Sequence, residues 1–261
     1  ANPDHERRVA EILRQHLESA FITCSSDILP LIREYERTST TVINAYLGPI
    51  LERYFVSLSR HLGKAGIRAP LQVMKSDGGT MSLAAAAERP AYIVESGPAA
   101  GVIGAAEVAK MSAGPDCITL DMGGTTAKAA MVEEGRVDKT GDYEVGAGIN
   151  LSSKLVMGGG FALKLPVIDI SEIGAGGGSI VALDAGGLMH VGPQSAGADP
   201  GPVAYDRGGE LPTFSDAMVA LGYLNPNHLV GGALALNVGK AQKVLSDRIA
   251  KPLGKSLEEA A

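Results

Sequence analysis

Cys117-Ile118-Thr119-Leu120-Asp121-Met122-Gly123-Gly124-Thr125-Thr126-Ala127-Lys128-Ala129-Ala130-Met131-Val132 decides the fold. Cys117 to Asp121 reads as a buried strand. Ala127 to Val132 reads as its hairpin partner, Glu133-Glu134-Gly135 as the next turn, and Arg136 to Thr140 as a third antiparallel strand. The turn has chemistry of its own. Two glycines let backbone N–H groups approach phosphate oxygens, and threonine hydroxyls donate as well. Asp121 suits Mg²⁺, directly or through water, or the orientation of an attacking oxygen. By strand alternation Lys128 shares a face with Thr126 and is within reach of a phosphate, although a solvated lysine explains it as well. Spacing alone divides evenly between a phosphate hairpin and a plain turn.

Before this hairpin the chain reads as helical. Asn2 can cap and Pro3 suits a first turn, after which Val9, Ile12, Leu13 and Leu17 share a face. A longer stripe from Val42 to Leu62, including Tyr46, Tyr54 and Phe55, has a helical period and reads as core, with a kink or break at Gly48-Pro49. The stripe is long enough to exceed what the rest of the chain can cover. Leu71 to Met74 reads as a short buried strand ended by Ser76-Asp77-Gly78-Gly79. Ser96-Gly97-Pro98 opens a small-residue helix to about Lys110. Beyond the hairpin, Ser179 to Leu183 and Leu188 to Val191 pair across Asp184-Ala185-Gly186-Gly187. Gln194 to Gly209 reads as an ordered loop, Ser215-Asp216 as a helix start, Lys240 to Ala250 as a helix, and Ser256 as a cap. The division is a helical segment, 1–66, and an α/β core, 67–261.

Composition narrows the class. Glycine supplies 34 of 261 residues, about twice the usual share of roughly 7%, as expected where backbone meets a ligand or another backbone. A net charge of -6 with scattered Lys and Arg argues against nucleic acid as partner. No stretch is long and apolar enough for a membrane span, and no signal peptide opens the sequence. Cys24 and Cys117 are far apart, with no CxxC, and read as reduced thiols of a cytoplasmic protein.

Other phosphate and catalytic motifs fail. Gly254-Lys255-Ser256 ends like a P-loop, but Ile249 stands where glycine is required. Gly174-Ala175-Gly176-Gly177-Gly178-Ser179 misses the dinucleotide fingerprint at its third glycine. HExxH and GxSxG are absent. Softer candidates remain, each with a plain structural alternative. Ser96 and Gly97 open a helix, where N–H groups and the dipole suit an anion, or cap it. Ser76, Asp77, Gly78 and Gly79 line a cleft or form an Asp-Gly turn. Gly176, Gly177, Gly178 and Ser179 approach a nucleotide or join two layers. Asp169 and Glu172 are candidate paired acids, His190 reads as structural, and Asp199 and Asp216 as turn and cap.

The Asp-x-Gly-Gly-Thr hairpin resembles the phosphate-binding hairpins of the actin, Hsp70 and sugar-kinase superfamily. Arg33-Glu34-Tyr35-Glu36-Arg37-Thr38-Ser39-Thr40-Thr41 with Asn44-Ala45-Tyr46 resembles the hydantoinase A/5-oxoprolinase family. So do Ser76-Asp77-Gly78-Gly79, Glu95-Ser96-Gly97-Pro98-Ala99-Ala100-Gly101, Gly174-Ala175-Gly176-Gly177-Gly178-Ser179-Ile180 and Gly192-Pro193-Gln194-Ser195-Ala196-Gly197-Ala198-Asp199-Pro200-Gly201-Pro202. The matches run in the family's order over nearly the whole chain. Asp77 departs from the pattern, standing where Asn is frequent.

The resemblance implies an α/β fold with an RNase H-like, actin-like ATPase core and helical additions. It implies ATP and Mg²⁺ as cofactors, a small cyclic amide as substrate, and a hydantoinase B-type subunit or domain as partner. Asp121 is then the catalytic and Mg²⁺-holding residue, with Gly123, Gly124, Thr125, Thr126 and Lys128 on the ATP phosphates. The implied reaction phosphorylates the amide oxygen before water opens the ring. Relatives that carboxylate acetone make a carbonyl-activating subunit the alternative. A non-catalytic nucleotide-binding or scaffold piece is the alternative of another class. The family pattern also has a first Asp-x-Gly-Gly-Thr hairpin ahead of this stretch and a Gly-Gly segment beyond it, so the sequence reads as a central portion.

Overall fold

The computed structural model describes residues 2–112, 114–146 and 159–261. The chain forms two compact units, the first made of Ala1–Thr119 and Ala129–Ser171, the second of Leu120–Lys128 and Glu172–Ala261. The helical segment 1–66 thus shares its unit with later strands.

The first unit opens with α1 (Asp4–His16), α2 (Ser25–Ile28) and α3 (Glu34–Lys64). Asn2 sits ahead of α1, with Pro3 in the cap position, and Asn2 Oδ1 accepts from the Asp4 amide at 3.0 Å. Glu6 joins the three helices. Its carboxylate accepts from the amides of Ser25 and Ser26 at 2.7 and 3.0 Å and from Arg37 Nη2 at 3.4 Å. Burial pushes the Glu6 pKa up, but hydrogen bonds from Ser25 and Ser26 outweigh it and hold it at about 2.

Of the kink or break expected at Gly48-Pro49, the break does not occur, and α3 runs through Pro49 for 31 residues. One missing amide bond and a ring clash cost about 3 kcal/mol, yet the helix continues, with buried residues on both sides of the proline, Asn44 and Phe55 among them. Gly48 is buried against the Phe21 ring, where a Cβ would stand 2.5 Å from ring carbons. The apolar stripe also divides. Phe55 is buried, whereas Val42, Tyr46, Ile50 and Tyr54 are 60%, 73%, 46% and 55% exposed, so two tyrosines expected in the core lie outside it. Val9, Ile12 and Leu13 of α1 and Leu17 just after it are exposed too. The inner face of α3 carries buried polar side chains instead. Asn44 Nδ2 donates to Thr23 Oγ1 at 3.1 Å and to the Glu88 carbonyl at 3.3 Å, and its Oδ1 accepts from the Ala91 amide at 3.0 Å. Thr40 Oγ1 accepts from the Lys164 amide at 3.0 Å.

Next come β1 (Gln72–Met74), β2 (Thr80–Ser82), α4 (Leu83–Glu88) and α5 (Ser96–Ser112). β1 pairs antiparallel with β2, and its residues are half-buried or exposed rather than core. Small residues let α5 pack closely: Ala99, Val102 and Ala106 share a cluster with Ala130, Val132 and Ile168.

The central hairpin is β3 (Cys117–Met122) and β4 (Ala127–Glu133), followed by β5 (Arg136–Val137), β6 (Lys139–Thr140), β7 (Tyr143–Val145), β8 (Phe161–Leu163), β9 (Val167–Ile168) and β10 (Ser171–Ile173). β4 lies between β3 and β10, and β5 also pairs with it. The third strand expected over 136–140 splits in two: β5 pairs with β4, but β6 pairs with β9. Nor is β3 buried. Ile118 and Leu120 are 76% and 75% exposed while Thr119 is inside, its hydroxyl donating to the Ala130 carbonyl at 3.3 Å. An apolar run looks the same in sequence whether one face or both are covered.

The second unit contains the tip of that hairpin, β11 (Ser179–Leu183), β12 (Met189–Ser195), α6 (Phe214–Ala220), α7 (Val238–Leu245), a π turn at Ser246–Ala250, α8 (Lys251–Leu253) and α9 (Leu257–Ala260). β11 and β12 pair antiparallel, with Leu183 opposite Met189. Val181, Ala217, Leu245, Ile249, Ala250 and Ala260 form one core, and Ala204, Val219, Leu236 and Ala241 another. Ser256 caps α9 in a reciprocal box with Glu259.

Candidate nucleotide-phosphate site

Asp121 lies one residue before the end of β3, and the turn closes where the Gly123 amide donates to the Thr126 carbonyl at 2.9 Å. Asp121, Gly123, Gly124 and Thr125 are exposed and Thr126 is half-buried. The amides of Gly124, Thr125 and Thr126 make no hydrogen bond among the described residues, and the Asp121 carboxylate has no partner there. A Cβ added at Gly124 would meet nothing within 4 Å. The tip therefore has three amides without a hydrogen bond among the described residues beside an exposed carboxylate, with open space at Gly124, while the Thr125 and Thr126 amide nitrogens lie near Gly176.

The turn is braced from one side. The Gly177 amide donates to the Gly123 carbonyl at 2.9 Å, and the Gly178 amide to the Gly124 carbonyl at 2.6 Å. These bonds draw the carbonyls of the tip toward the glycine-rich loop. Side chains would prevent the approach: a Cβ at Gly176 would lie 2.6 Å from the Thr125 backbone, and one at Gly178 would lie 3.0 Å from the Gly124 carbonyl oxygen. Gly176 and Gly178 are buried, so the loop lies against the hairpin as a support. Ser179 is 0% exposed, and its hydroxyl accepts from the Gly176 amide at 2.8 Å. It shapes the loop and lines no cleft.

Lys128 also differs from its expectation. Its side chain is 17% exposed and its ammonium lies 3.6 Å from Glu172, on the neighbouring strand β10. It is an ion-paired, mostly buried lysine and not a freely solvated one. Glu172 has this lysine as partner, and Asp169 belongs to the other unit. His190 Nε2 lies 2.9 Å from Asp184 Oδ2, in a pair that locks the β11–β12 turn.

The remaining candidates belong to the first unit. Ser76 is 2% exposed; its hydroxyl donates to the Tyr92 carbonyl at 2.8 Å and also to that of Val94. It straps backbone and lines no cleft. Asp77 accepts from Lys75 Nζ at 2.9 Å and from the Gly79 amide at 2.9 Å. Burial raises its pKa, but the bonds from Lys75 and Gly79, with the charges of Lys75 and Lys139, hold it below the usual carboxylate range. Gly78 has φ +82°, and a Cβ there would meet Ile103 at 3.0 Å, so this turn requires glycine. Ser96 and Gly97 do open α5, after Glu95 at φ 62°.

One residue that matters escaped the sequence reading in part. Asp216 is fully buried and accepts four hydrogen bonds, two of them from residues more than ten positions away. The Thr213-x-x-Asp216 spacing signals a capping box, which is present, but gives no sign of the distant donors.

Residues 37–261 match a family model described as hydantoinase/oxoprolinase. An uncharacterized protein of Methanocaldococcus jannaschii is 43% identical over 260 residues, covering 100% of this chain and 38% of that protein. The alpha subunit of the Pseudomonas jessenii caprolactamase is 38% identical, covering 100% of this chain and 36% of the subunit. A 5-oxoprolinase of Saccharomyces cerevisiae is 36% identical over 225 residues, covering 86% of this chain and 16% of the enzyme. Among solved structures, nucleotide-free acetone carboxylase, described as ATP-dependent, superposes with a TM-score of 0.76 at 30% identity, over 99% of this chain and 35% of that one. The ATP-dependent caprolactamase of P. jessenii gives 0.73 at 38% identity, over 99% and 36%. The chain thus spans little more than a third of the most similar of these relatives.

Proposed function

The chain belongs to the hydantoinase/oxoprolinase family and has its mixed α/β, actin-like ATPase fold, and from that premise we propose that it is the phosphate-holding part of an ATP-dependent cyclic amide hydrolase. One observation carries the reading: among the described residues, the tip at Gly123–Thr126 offers three unbonded amides and an unpartnered Asp121, on a backbone braced by the glycine-rich loop. Amides of Gly124, Thr125 and Thr126 would hold phosphate oxygens, and the two threonine hydroxyls would add donors. Asp121 would hold Mg²⁺, directly or through water, and the ion would screen the phosphate charge. Among the described residues no three His, Cys, Asp or Glu side chains converge. A single carboxylate with phosphates and waters suits Mg²⁺, which keeps much of its hydration.

In the proposed reaction the amide oxygen takes the γ-phosphoryl group and ADP leaves. Water attacks the activated carbon, the carbon–nitrogen bond of the ring breaks, and phosphate is released. Two relatives, caprolactamase and 5-oxoprolinase, support a cyclic amide as substrate. The likeness to acetone carboxylase supports a second reading, in which ATP activates a carbonyl or carboxylate for carboxylation. The caprolactamase relative is an alpha subunit, and the present chain would likewise work with a B-type subunit or domain. No helix among the described residues is long and apolar enough to cross a membrane. Both cysteines are unpaired, which supports a cytoplasmic setting.

The test is phosphate release by the intact protein with Mg-ATP. Stimulation by a lactam or hydantoin is the expected result. Stimulation by a ketone with bicarbonate alone would favour the carboxylase reading, and indifference to nucleotide would overturn both.

A further inference from the structure

We propose that Asp216 is a positioning residue for the phosphate hairpin, acting through backbone from beneath it; this rests on the phosphate reading above. Asp216 begins in an ordinary role. It is the third residue of α6 and forms a reciprocal box with Thr213, whose amide donates to Asp216 Oδ2 at 2.9 Å while the Asp216 amide donates to Thr213 Oγ1 at 3.3 Å. Capping needs no more than this. Yet Oδ2 also accepts from Thr213 Oγ1 at 2.8 Å and from the Val203 amide at 3.2 Å, and Oδ1 accepts from the Ala204 amide at 2.7 Å. A carboxylate at 0% exposure is thereby satisfied by neutral donors from two separate segments. Only an acceptor with two oxygens can serve all of them.

Both segments lead to the hairpin. From α6, the neighbouring Ser215 amide donates to the Gly177 carbonyl at 2.8 Å, and the Gly177 amide donates to the Gly123 carbonyl. From the other side, Val203 and Ala204 end the loop that begins at Ala196. The Ala196 amide donates to the Gly178 carbonyl at 2.8 Å, and the Gly178 amide donates to the Gly124 carbonyl. The two routes thus grip the two adjacent glycines whose amides hold the carbonyls of Gly123 and Gly124. Fit along the first route is tight, since a Cβ at Gly177 would stand 2.8 Å from Ser215 Oγ. When a carbonyl is fixed, so is its peptide plane and therefore the next amide. Holding the Gly123 and Gly124 carbonyls aims the N–H groups of Gly124 and Thr125, two of the three that would hold the phosphate. A shift of the support on the order of 1 Å misaims them, and phosphoryl transfer depends mainly on such positioning.

The test is Asp216→Asn in the intact protein. The amide nitrogen would face N–H donors, so the clamp loses at least one bond without losing volume. In nucleotide-free protein, hydrogen exchange at the Gly177 and Gly178 amides should rise about tenfold or more, with exchange in the β11–β12 hairpin unchanged. KM for Mg-ATP should rise at least about tenfold while KM for the cyclic amide stays within about twofold. A residue that only stabilised α6 would move neither the glycine amides nor KM for nucleotide. Should Asp216→Asn fail to fold, Thr213→Val replaces it, because it removes one donor and leaves three amides on the carboxylate; the same changes are expected at smaller size. Unchanged Gly177 and Gly178 exchange and unchanged KM for Mg-ATP, in a wild-type background that does bind Mg-ATP, would overturn this assignment alone. Failure of wild-type protein to bind Mg-ATP would overturn the phosphate reading and the assignment with it.

Discussion

Two turns in this molecule are built from nearly the same residues and are put to opposite use. Ser76-Asp77-Gly78-Gly79 satisfies itself. Its aspartate accepts from its own Gly79 amide and from Lys75, and its serine is buried on the carbonyls of Tyr92 and Val94. Asp121-Met122-Gly123-Gly124 satisfies its glycine carbonyls through Gly177 and Gly178 and its Gly123 amide through Thr126, and leaves its aspartate and the amides of Gly124, Thr125 and Thr126 without a hydrogen bond among the described residues. A buried polar group left unpaired costs about 1–3 kcal/mol. The second turn avoids that cost by being exposed, and exposure makes it available to a ligand. A site is marked here by what its backbone groups lack, and residue type alone does not tell the turns apart.

The sharpest way to break the comparison is to truncate each aspartate. In the intact protein, Asp121→Ala should lower cyclic amide-dependent ATP turnover by about two orders of magnitude or more, about 2.7 kcal/mol of transition-state stabilisation at 1.36 kcal/mol per tenfold. Asp77→Ala should leave KM for Mg-ATP within about twofold. Steady-state phosphate release measures both. Full activity in Asp121→Ala would remove the basis for calling the second turn a site.

Glycines sharpen it further, because their space differs. Gly124 faces open space, whereas Gly176 has the Thr125 backbone where its Cβ would be. Gly124→Val should therefore leave unfolding unchanged and weaken nucleotide binding by about tenfold or more, as a branched side chain obstructs the approach of phosphate. Gly176→Ala should weaken binding and also destabilise by about 1–3 kcal/mol, in the range found for overpacking. Calorimetric titration with Mg-ATP beside urea unfolding separates the two. Equal effects of both variants on stability would mean that the tip is packed against something and is not an open site.

Much of this was legible beforehand, and the boundary of legibility is physical. The hairpin around Gly123-Gly124, the β11–β12 pairing and the start of α5 all follow from turn residues and local periodicity, which need only a few neighbouring positions. Exposure of Ile118 and Leu120 was not legible, because an apolar run does not record which face is covered. Continuity of α3 through Pro49 was not legible either, because Gly48-Pro49 alone reads as a breaker, whereas Gly48 is buried against Phe21, far away in sequence. Burial of Lys128 depends on Glu172, and the second role of Asp216 depends on amides at 203 and 204. In each case local pattern identified the element, while a distant contact decided its environment.

The smallest expected effect concerns pH, and it tests whether the Asp77 turn is the closed structure described. Burial raises the Asp77 pKa, but hydrogen bonds from Lys75 and Gly79 outweigh it, so the folded value lies below the ordinary 3.8. A depressed folded pKa means that the ionised form is favoured by folding. Its contribution is present above the unfolded value and is lost as pH falls through the folded value. Asp77→Asn, which keeps the shape and removes the charge, should therefore cost about 1 kcal/mol near neutral pH, read as roughly fivefold faster hydrogen exchange at the Gly79 amide. The difference between wild type and variant should begin to shrink as pH drops below about 4, the unfolded value, and should be lost as pH falls through the lower folded value of Asp77. A difference that stays constant into that range would show that the carboxylate's charge does not hold the turn, and the contrast with Asp121 would then rest on geometry alone.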